Sequence, residues 1–368
     1  MTTLSVPVPV PVPTRPFGVY LHVPFCARRC DYCAFATWTD RDHLIGDYLD
    51  ACRAEVEWAV GSGMAPATSV FFGGGTPSLV PPRGLTKVLS AVPLAPGAEV
   101  TVECNPDTVN AELIETYAAG GVNRLSFGVQ SMVPRVLAAL GRTHDPEAVQ
   151  RAVSLARAGG FANFNVDLIY GAVGETVDDW RRTLTDALAL DPPHVSAYGL
   201  TVEPATPLCA DTARHPDDDD QADKYLVATE AFATAGLAWY EISNWARPGH
   251  QCDHNQLYWR QGDYLGFGCA SHSHRDGRRW WNVRTPERYM AAVARGQPAV
   301  GGTEDLDDDD RWLERLQLAL RTSDGVPAAS LPVDELEGLV APAGDDRVVL
   351  TVKGRLLANE VALRLRPA

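Results

Sequence analysis

Three cysteines in one short segment have the side chains and the spacing that a metal centre requires. Cys26, Cys30 and Cys33 follow the pattern C-x3-C-x2-C within eight residues. Soft thiolate ligands select zinc or iron–sulfur clusters. Structural zinc normally has four protein ligands, and no further cysteine or histidine follows nearby. The spacing therefore favours a four-iron cluster with one open iron, over zinc completed by a distant residue or three unrelated buried cysteines.

A glycine run and several polar residues lie farther along the chain, within or directly after apolar runs. The glycines of Gly73–Thr76 allow the backbone to approach a ligand closely. Glu103, Gln130 and Asp167 lie in or after apolar runs, and Arg142 lies in a connecting segment. A buried polar side chain needs a partner, which makes these residues candidate ligand contacts. Taken singly, each is equally explained as a turn or a hydrogen-bonded structural residue.

Short apolar runs alternate with helical patterns from Phe17 to about Ala235. The predicted strands are Phe17–Val23, Ser69–Gly73, Val100–Cys104, Arg124–Gly128, Asn163–Tyr170 and His194–Leu200. The predicted helices include Leu44–Val60, Ala111–Ala119, Pro146–Ala158 and Val177–Leu190. Strands that are apolar throughout are typical of a parallel sheet covered by helices. Six such units predict an α/β fold, an open, partial (β/α)6 barrel with ligands at the carboxyl ends of the strands.

Two acidic runs, Asp217–Asp220 and Asp307–Asp310, accompany changes in this pattern. The region after the first run is rich in aromatic residues and glycine, and its sequence shows no strand–helix alternation. We therefore predict a flexible N-terminal tail at 1–16, the partial barrel at 17–235, an aromatic-rich region at 236–305 and a small C-terminal α+β domain at 306–368.

Composition excludes several classes of function. The net charge of −15 and the pI of about 5.0 argue against nucleic acid and anionic membranes as partners, because both require a basic face. The sequence contains no run of 18 apolar residues, so it predicts no transmembrane helix. The Val- and Pro-rich N-terminus does not have the pattern of a signal peptide. We expect a cytoplasmic protein whose eight cysteines are reduced thiols or metal ligands.

The cysteine segment, with the aromatic Tyr32 just before its last cysteine, resembles the radical SAM superfamily. The resemblance implies a [4Fe–4S] cluster whose open iron chelates the amino and carboxylate groups of S-adenosylmethionine (SAM). It further implies that an electron from the cluster cleaves the sulfonium and releases a 5′-deoxyadenosyl radical. A reductant such as flavodoxin or ferredoxin could supply this electron. The cofactor carries such chemistry, and the protein positions and shields it.

The strand-end motifs together resemble one branch of that superfamily, the oxygen-independent coproporphyrinogen III oxidases and the related HemW-type heme chaperones. The resemblance is strong over Phe17 to Trp281 and weaker beyond it. It implies that the following residues bind SAM or occupy nucleotide-contacting positions: Tyr20, Tyr32, Gly74, Gly75, Thr76, Glu103, Gln130, Arg142, Asp167 and Gly199. In the oxidases some of these positions serve a second SAM, and the sequence leaves open whether a second SAM binds here.

Two features favour the chaperone over the oxidase. Phe35 stands where the oxidases usually have a further cysteine, and His254–Trp259 resembles the H-N-x-x-Y-W signature of the HemW type. The resemblance implies a chaperone that binds heme and delivers it to an acceptor protein, which the sequence does not identify. The alternative is the enzyme that oxidatively decarboxylates coproporphyrinogen III. A radical SAM enzyme acting on an unrelated substrate is a third interpretation.

His254 is the predicted heme ligand, because an imidazole can bind heme iron and aromatic neighbours suit a flat macrocycle. The alternative for His254 is a hydrogen-bonded histidine that starts a strand in a packed aromatic cluster. Cys252 and Cys269 are alternative ligands, although buried inert thiols explain them equally well. Of His272 and His274, we expect only one to face the interior if their segment forms a strand.

Overall fold

The computed structural model describes residues 15–344 and 346–366, so most of the predicted tail at 1–16 lies outside the described residues. The strands are β1 (Phe17–Val23), β2 (Ala67–Gly74), β3 (Leu94–Cys104), β4 (Arg124–Gln130), β5 (Phe164–Tyr170), β6 (His194–Gly199), β7 (Ala238–Glu241), β8 (Asn244–Ala246), β9 (Asp263–Phe267), β10 (His272–Arg275), β11 (Arg278–Asn282), β12 (Val300–Asp305), β13 (Val326–Pro327), β14 (Val340–Pro342) and β15 (Arg347–Leu350). The helices are α1 (Ile45–Gly61), α2 (Pro82–Leu89), α3 (Ala111–Ala119), α4 (Pro134–Ala139), α5 (Pro146–Ala158), α6 (Val177–Leu188), α7 (Pro207–Ala210), α8 (Asp218–Thr234), α9 (Asp253–Trp259), α10 (Pro286–Ala294), α11 (Asp308–Leu320), α12 (Val352–Leu356) and α13 (Ala358–Ala362).

One large sheet organises most of the molecule. Its strand order is β12-β11-β10-β9-β1-β2-β3-β4-β5-β6-β8-β7. The strands from β9 and β1 through β6 are parallel, and antiparallel strands extend the sheet at both ends. Because β12 and β7 are free edges, the barrel is open. The predicted α/β class, a partial barrel with a smaller C-terminal region, is confirmed.

The parallel strands are buried because helices cover one face and side chains fill the other. Four of the seven residues in β1 and five of the seven in β5 are apolar and buried, and two central apolar residues are buried in each of β2 and β3. This burial explains why the strands read as continuous apolar runs. The main core joins these strands to Tyr48 of α1, Tyr117 of α3 and Trp180 of α6.

Helix boundaries follow from capping side chains. Asn110 accepts a hydrogen bond from the Leu113 backbone N–H at 2.9 Å, and Asp145 accepts one from Ala148 at 2.6 Å. These caps satisfy N–H groups that a helix leaves free at its first turn. The helices α3 and α5 therefore begin and end at the predicted residues.

The aromatic-rich region departs from the prediction. The sequence showed no strand–helix alternation there, but α9 is followed by β9, which pairs in parallel with β1. The described part of the sheet therefore has seven parallel strands, one more than predicted. The reason is that β9 is only partly buried, so its sequence Asp-Tyr-Leu-Gly-Phe lacks the apolar run that identified the others.

The C-terminal segment contains a small α+β unit, as predicted. The strands β13, β15 and β14 form an antiparallel sheet, and their apolar residues pack with α11 and α13 in a separate hydrophobic cluster. The segment boundaries at 235/236 and 305/306 remain predictions. Within the described ranges, every helix is too short or too polar to cross a bilayer.

Candidate functional site

A cavity of about 390 Å³ lies at the carboxyl ends of β2 through β5. It collects most of the residues predicted from the sequence: Cys26, Cys30, Tyr32, Cys33, Gly74, Gly75, Thr76, Glu103, Gln130, Arg142 and Asp167. Tyr20 and His254 line a smaller neighbouring cavity, which shares Glu103 and Asp167 with the first. Gly199, at the end of β6, instead faces Gln221 and Tyr170.

The cysteine loop is held by its own backbone and by two polar side chains. The Cys26 N–H donates to the Trp38 carbonyl at 3.0 Å, which returns the loop to its start. Thr76 Oγ1 donates to Cys26 Sγ at 3.5 Å, and Arg142 Nη1 donates to Cys30 Sγ at 3.6 Å. The loop is therefore held so that its three sulfur atoms line one cavity.

The glycine run packs directly on this loop. The Gly75 N–H donates to the Val23 carbonyl at 2.8 Å, and a Cβ on Gly75 would lie 2.7 Å from the carbonyl oxygens of Val23 and Phe25. Gly74 has φ +105°, and a Cβ there would lie 2.3 Å from the ring of His22. Both positions require glycine because the backbone of β2 must approach the cysteine loop.

Burial governs the ionisation of the thiols. Burial raises the pKa of Cys26 and of Cys33, which the hydrogen bond from Thr76 partly offsets at Cys26. A metal or cluster must therefore displace protons when it binds. Among the described residues, no three His, Cys, Asp or Glu side chains surround a point where a single metal ion would sit. The three thiols line one cavity, and thiolates are the ligands of iron–sulfur clusters.

Cys104 is a fourth cysteine at this cavity, and sequence reasoning did not consider it as a ligand. Its thiol donates to the carbonyl of Val102 in its own strand at 3.6 Å. Burial raises its pKa, and the neighbouring Glu103 carboxyl raises it further. Because its thiol is already hydrogen-bonded within its own strand, Cys104 is suited to packing rather than to binding iron.

Glu103 is a buried carboxyl poised between its two protonation states. It accepts a hydrogen bond from the Gly74 N–H at 3.2 Å. Burial, with the nearby Asp167 carboxyl, raises the pKa of Glu103 to about 8. A cationic or hydroxyl-rich ligand in the cavity would favour the ionised form, because a carboxylate accepts hydrogen bonds from such groups. Glu103 is therefore suited to bind an ammonium or a ribose.

Asp167 is supported by a hydrogen-bonded network that the sequence did not reveal. Ser126 Oγ and Asn165 Nδ2 each donate to Asp167 at 2.8 Å, and Asn165 Nδ2 also donates to Ser196 Oγ at 3.0 Å. Burial raises the pKa of Asp167, while these donors counteract the rise. The register places Ser126 opposite Asn165 and Asp167 opposite Ser196 across β4, β5 and β6. The sequence signal that could have revealed this network was a polar residue in each of three neighbouring strands.

Arg142 has one donor left over for a ligand. Its Nη2 donates to Gly128 O at 3.0 Å and to Asn105 Oδ1 at 3.2 Å. Within the described residues its Nε is buried with no hydrogen-bond partner. A buried donor without a partner is costly, so a carboxylate bound beside it would satisfy both charge and geometry. This donor, with the three thiols, fits the amino-acid end of SAM. Asn105 was not predicted, although it directly follows Glu103 and Cys104 in the sequence.

His254 lies in α9 rather than at the start of a strand, and it is 2% exposed. Its Nδ1 is hydrogen-bonded to Ser69 Oγ at 2.9 Å and its Nε2 to Tyr258 OH at 2.8 Å. Its ring stacks on Phe71 with centroids 5.4 Å apart. Burial lowers the pKa of His254 to about 3, so the ring is neutral. It could bind iron only after losing one of these hydrogen bonds.

The two alternative cysteine ligands are also engaged. Cys252 Sγ donates to Glu99 Oε1 at 3.3 Å, and Cys269 Sγ accepts from Tyr48 OH at 3.6 Å. Both thiols are buried, and burial raises the pKa of each. They resemble inert core thiols.

A second cavity, of about 890 Å³, lies beside the first and is lined by strands β1, β9, β10 and β11. Both His272 and His274 line it. Side chains two residues apart on a strand project from the same face, so both reach this cavity, but only His274 is buried and His272 is exposed. Phe35 lines both this cavity and the cluster cavity, so the two are neighbours.

Comparisons with known proteins agree with this geometry. The sequence pattern of the radical SAM superfamily matches residues 20–187. Heme chaperone HemW of Mycobacterium tuberculosis is 42% identical, with 98% of each chain covered. Heme chaperone HemW of Escherichia coli is 38% identical, over 75% of this chain and 76% of that protein.

The structure of the Escherichia coli coproporphyrinogen III oxidase HemN, a radical SAM enzyme, has the same fold. It superposes with a TM-score of 0.83 at 24% identity, covering 95% of this chain and 89% of HemN. At 24% identity, this similarity shows only that the two proteins share a fold. The Mycobacterium tuberculosis relative spans nearly the whole chain, including the aromatic-rich region that lies outside the superfamily match. The chain therefore belongs to the HemW heme chaperone family of the radical SAM superfamily.

Proposed function

We propose that this protein is a heme chaperone that holds one [4Fe–4S] cluster and SAM, binds heme and transfers it to an acceptor protein. The observation that carries the proposal is the 42% identity to a heme chaperone over 98% of both chains. Phe35 also supports the proposal, because oxidases with this fold typically have a cysteine at that position.

The cluster would be held by Cys26, Cys30 and Cys33, whose loop is fixed by the glycine run at the end of β2. When bound, such a cluster supplies an open iron and one electron for SAM, and a flavodoxin or ferredoxin would supply that electron to the cluster. The chain's own residues bind and orient. Arg142 offers its free Nε to a carboxylate, and Glu103 offers its carboxylate to an ammonium or ribose.

Hydrogen bonds fix the walls of the cluster cavity. Gly75 and Thr76 donate to backbone carbonyls just before the first cysteine of the loop. Asp167, held by its network of hydroxyl and amide donors, also lines the cavity. A fixed network of this kind keeps the polar groups in one orientation, so a ligand binds without reorganising them.

The test is a hemin titration of the full chain after anaerobic reconstitution of the cluster. The chaperone is expected to bind heme in proportion to protein and to shift the Soret band, with iron and sulfide retained. A filled cluster with no Soret shift would overturn the proposal. Incubation with coproporphyrinogen III, SAM and a reductant is expected to leave the porphyrinogen unchanged. Formation of a vinyl product with 5′-deoxyadenosine would favour the oxidase instead.

A further inference from the structure

The 890 Å³ cavity is large enough for a macrocycle, and Tyr20 is the one predicted SAM residue among those that line it. Its volume lies within the roughly 300–1,000 Å³ of typical small-molecule sites. Aromatic rings line it, among them Tyr258, Tyr264 and Trp281. Phe35, from the cluster loop, is 63% exposed at its edge. An exposed phenylalanine over an aromatic cavity suits a flat apolar ligand that would cover it.

One histidine in this cavity has its ring nitrogens available. His22 is hydrogen-bonded through Nδ1 to Tyr20 OH and through Nε2 to Ala36 O. His274 is hydrogen-bonded through Nδ1 to Gly262 O, and its Nε2 accepts the Gly277 N–H. Within residues 15–344 and 346–366, His272 makes no side-chain hydrogen bond.

The ring of His272 is nevertheless held in place. It stacks on Trp281 in the paired strand, with centroids 5.7 Å apart and planes 28° apart. Burial lowers the pKa of His272, which keeps the imidazole neutral near pH 7. A neutral imidazole with a free nitrogen and a fixed ring plane is the form that binds heme iron.

Two cations at the same cavity are also available. Arg279 is committed to Glu304 and Glu314. In contrast, Arg284 and Arg288 are exposed and line the cavity, and in the described part of the chain neither makes a side-chain hydrogen bond or ion pair. In a chain with a net charge of −15, two free guanidinium groups at one cavity indicate an anionic ligand. Guanidinium binds carboxylates in a bidentate geometry.

We propose that heme binds in this cavity, with His272 as an axial ligand to the iron and with Arg284 and Arg288 paired to the propionates. This inference rests on the proposed function and deepens it by assigning the heme site. It places the macrocycle against Phe35, next to the cluster cavity. It also replaces His254 as the ligand, since both nitrogens of His254 are already hydrogen-bonded.

The test titrates cluster-loaded full-length protein with hemin and compares His272→Ala with two other histidine variants. His43→Ala removes an exposed histidine outside the cavity, and His254→Gln removes the ligand predicted from sequence. In His272→Ala the Soret band is expected to shift away from its wild-type wavelength. The electron paramagnetic resonance signal of the histidine-ligated heme iron, whether low-spin or five-coordinate in wild type, is expected to disappear. Added imidazole is expected to restore both. The two other variants are expected to match wild type, with cluster absorption unchanged in all.

The propionate contacts are tested by the double variant Arg284→Ala/Arg288→Ala. It is expected to keep the wild-type spectrum but to bind hemin about tenfold or more weakly, the effect of losing charged hydrogen bonds. Hemin dimethyl ester is expected to bind wild type and double variant alike.

The possible failures are distinguishable. If wild type binds no heme, the proposed function fails. If wild type binds heme but His272→Ala keeps its spectrum, or His254→Gln loses it while retaining its cluster, the assignment of this site is overturned and the proposed function stands.

Discussion

Replacing Glu103 with glutamine should weaken SAM binding and change how that binding depends on pH. Glutamine has nearly the same shape but carries no charge at any pH. Glu103 accepts the Gly74 N–H and has one carboxylate oxygen available to the cavity. A hydrogen bond to a charged group contributes about 1.5–3 kcal/mol. Its loss should therefore raise the dissociation constant for SAM by about 10- to 150-fold under conditions where wild-type Glu103 is ionised.

The pH dependence follows from the raised pKa of Glu103, about 8. The ionised form binds the cationic ligand, so affinity rises as pH rises through this value. The ionised fraction is about one tenth at pH 7 and about nine tenths at pH 9, and the apparent affinity scales with it. Wild type should therefore bind SAM about tenfold more tightly at pH 9 than at pH 7 through this group. Titration of the amino group of SAM adds equally to the wild type and the variant, so their difference isolates Glu103.

The assay is calorimetric titration of cluster-loaded protein with SAM between about pH 6.5 and about pH 9, a range that brackets the pKa of Glu103. Glu115→Gln, an exposed change on α3, is the matched control and should behave as wild type. Iron content must be equal in all three proteins. Equal affinities for wild type and Glu103→Gln, or parallel pH profiles, would refute the role of Glu103.

The remaining predictions concern the cluster loop and its surroundings. Serine at any one of the three cluster cysteines should abolish the iron–sulfur absorption, whereas Cys104→Ser and Cys209→Ser should keep it; equal loss in all would show that the ligands are assigned wrongly. Gly75→Ala should lower iron per chain and reduce the free energy of unfolding in urea by about 1–3 kcal/mol, because its Cβ would lie 2.7 Å from two carbonyl oxygens. Gly61→Ala, whose Cβ would have no neighbour within 4 Å, should change neither quantity. Arg142→Lys should raise the SAM dissociation constant about tenfold or more at unchanged iron content, because a lysine ammonium lacks the planar guanidinium geometry that pairs with a carboxylate; an unchanged constant would exclude a carboxylate clamp.

The parallel strands and their helices were predictable because their signals are local. The strand β1 ends at the predicted residues, and Asn110 and Asp145 mark where two helices begin. The seventh parallel strand was missed because its residues are only partly buried and its partner β1 is more than 200 residues away. Pairing over such a distance depends on the whole fold, and no local pattern encodes it.

The site residues likewise divide into those that a local sequence pattern predicts and those that only the folded structure reveals. The three cysteines proposed as ligands were identified from their spacing within one loop, and Glu103 and Asp167 were identified as polar residues in apolar strands. The donors around Asp167 could not be predicted, because they depend on the register of three strands. The availability of His272 is likewise a property of the folded protein, since it depends on which histidines find hydrogen-bond partners.

The central claim is that three thiolates hold a four-iron cluster and leave one iron for SAM. The most direct measurement is Mössbauer spectroscopy of anaerobically reconstituted protein enriched in the iron isotope, recorded without and with SAM. We expect about four iron ions per chain and, on adding SAM, a change in the signal of a single iron site. Zinc in place of iron, or a cluster whose iron sites are all unchanged by SAM, would contradict the account.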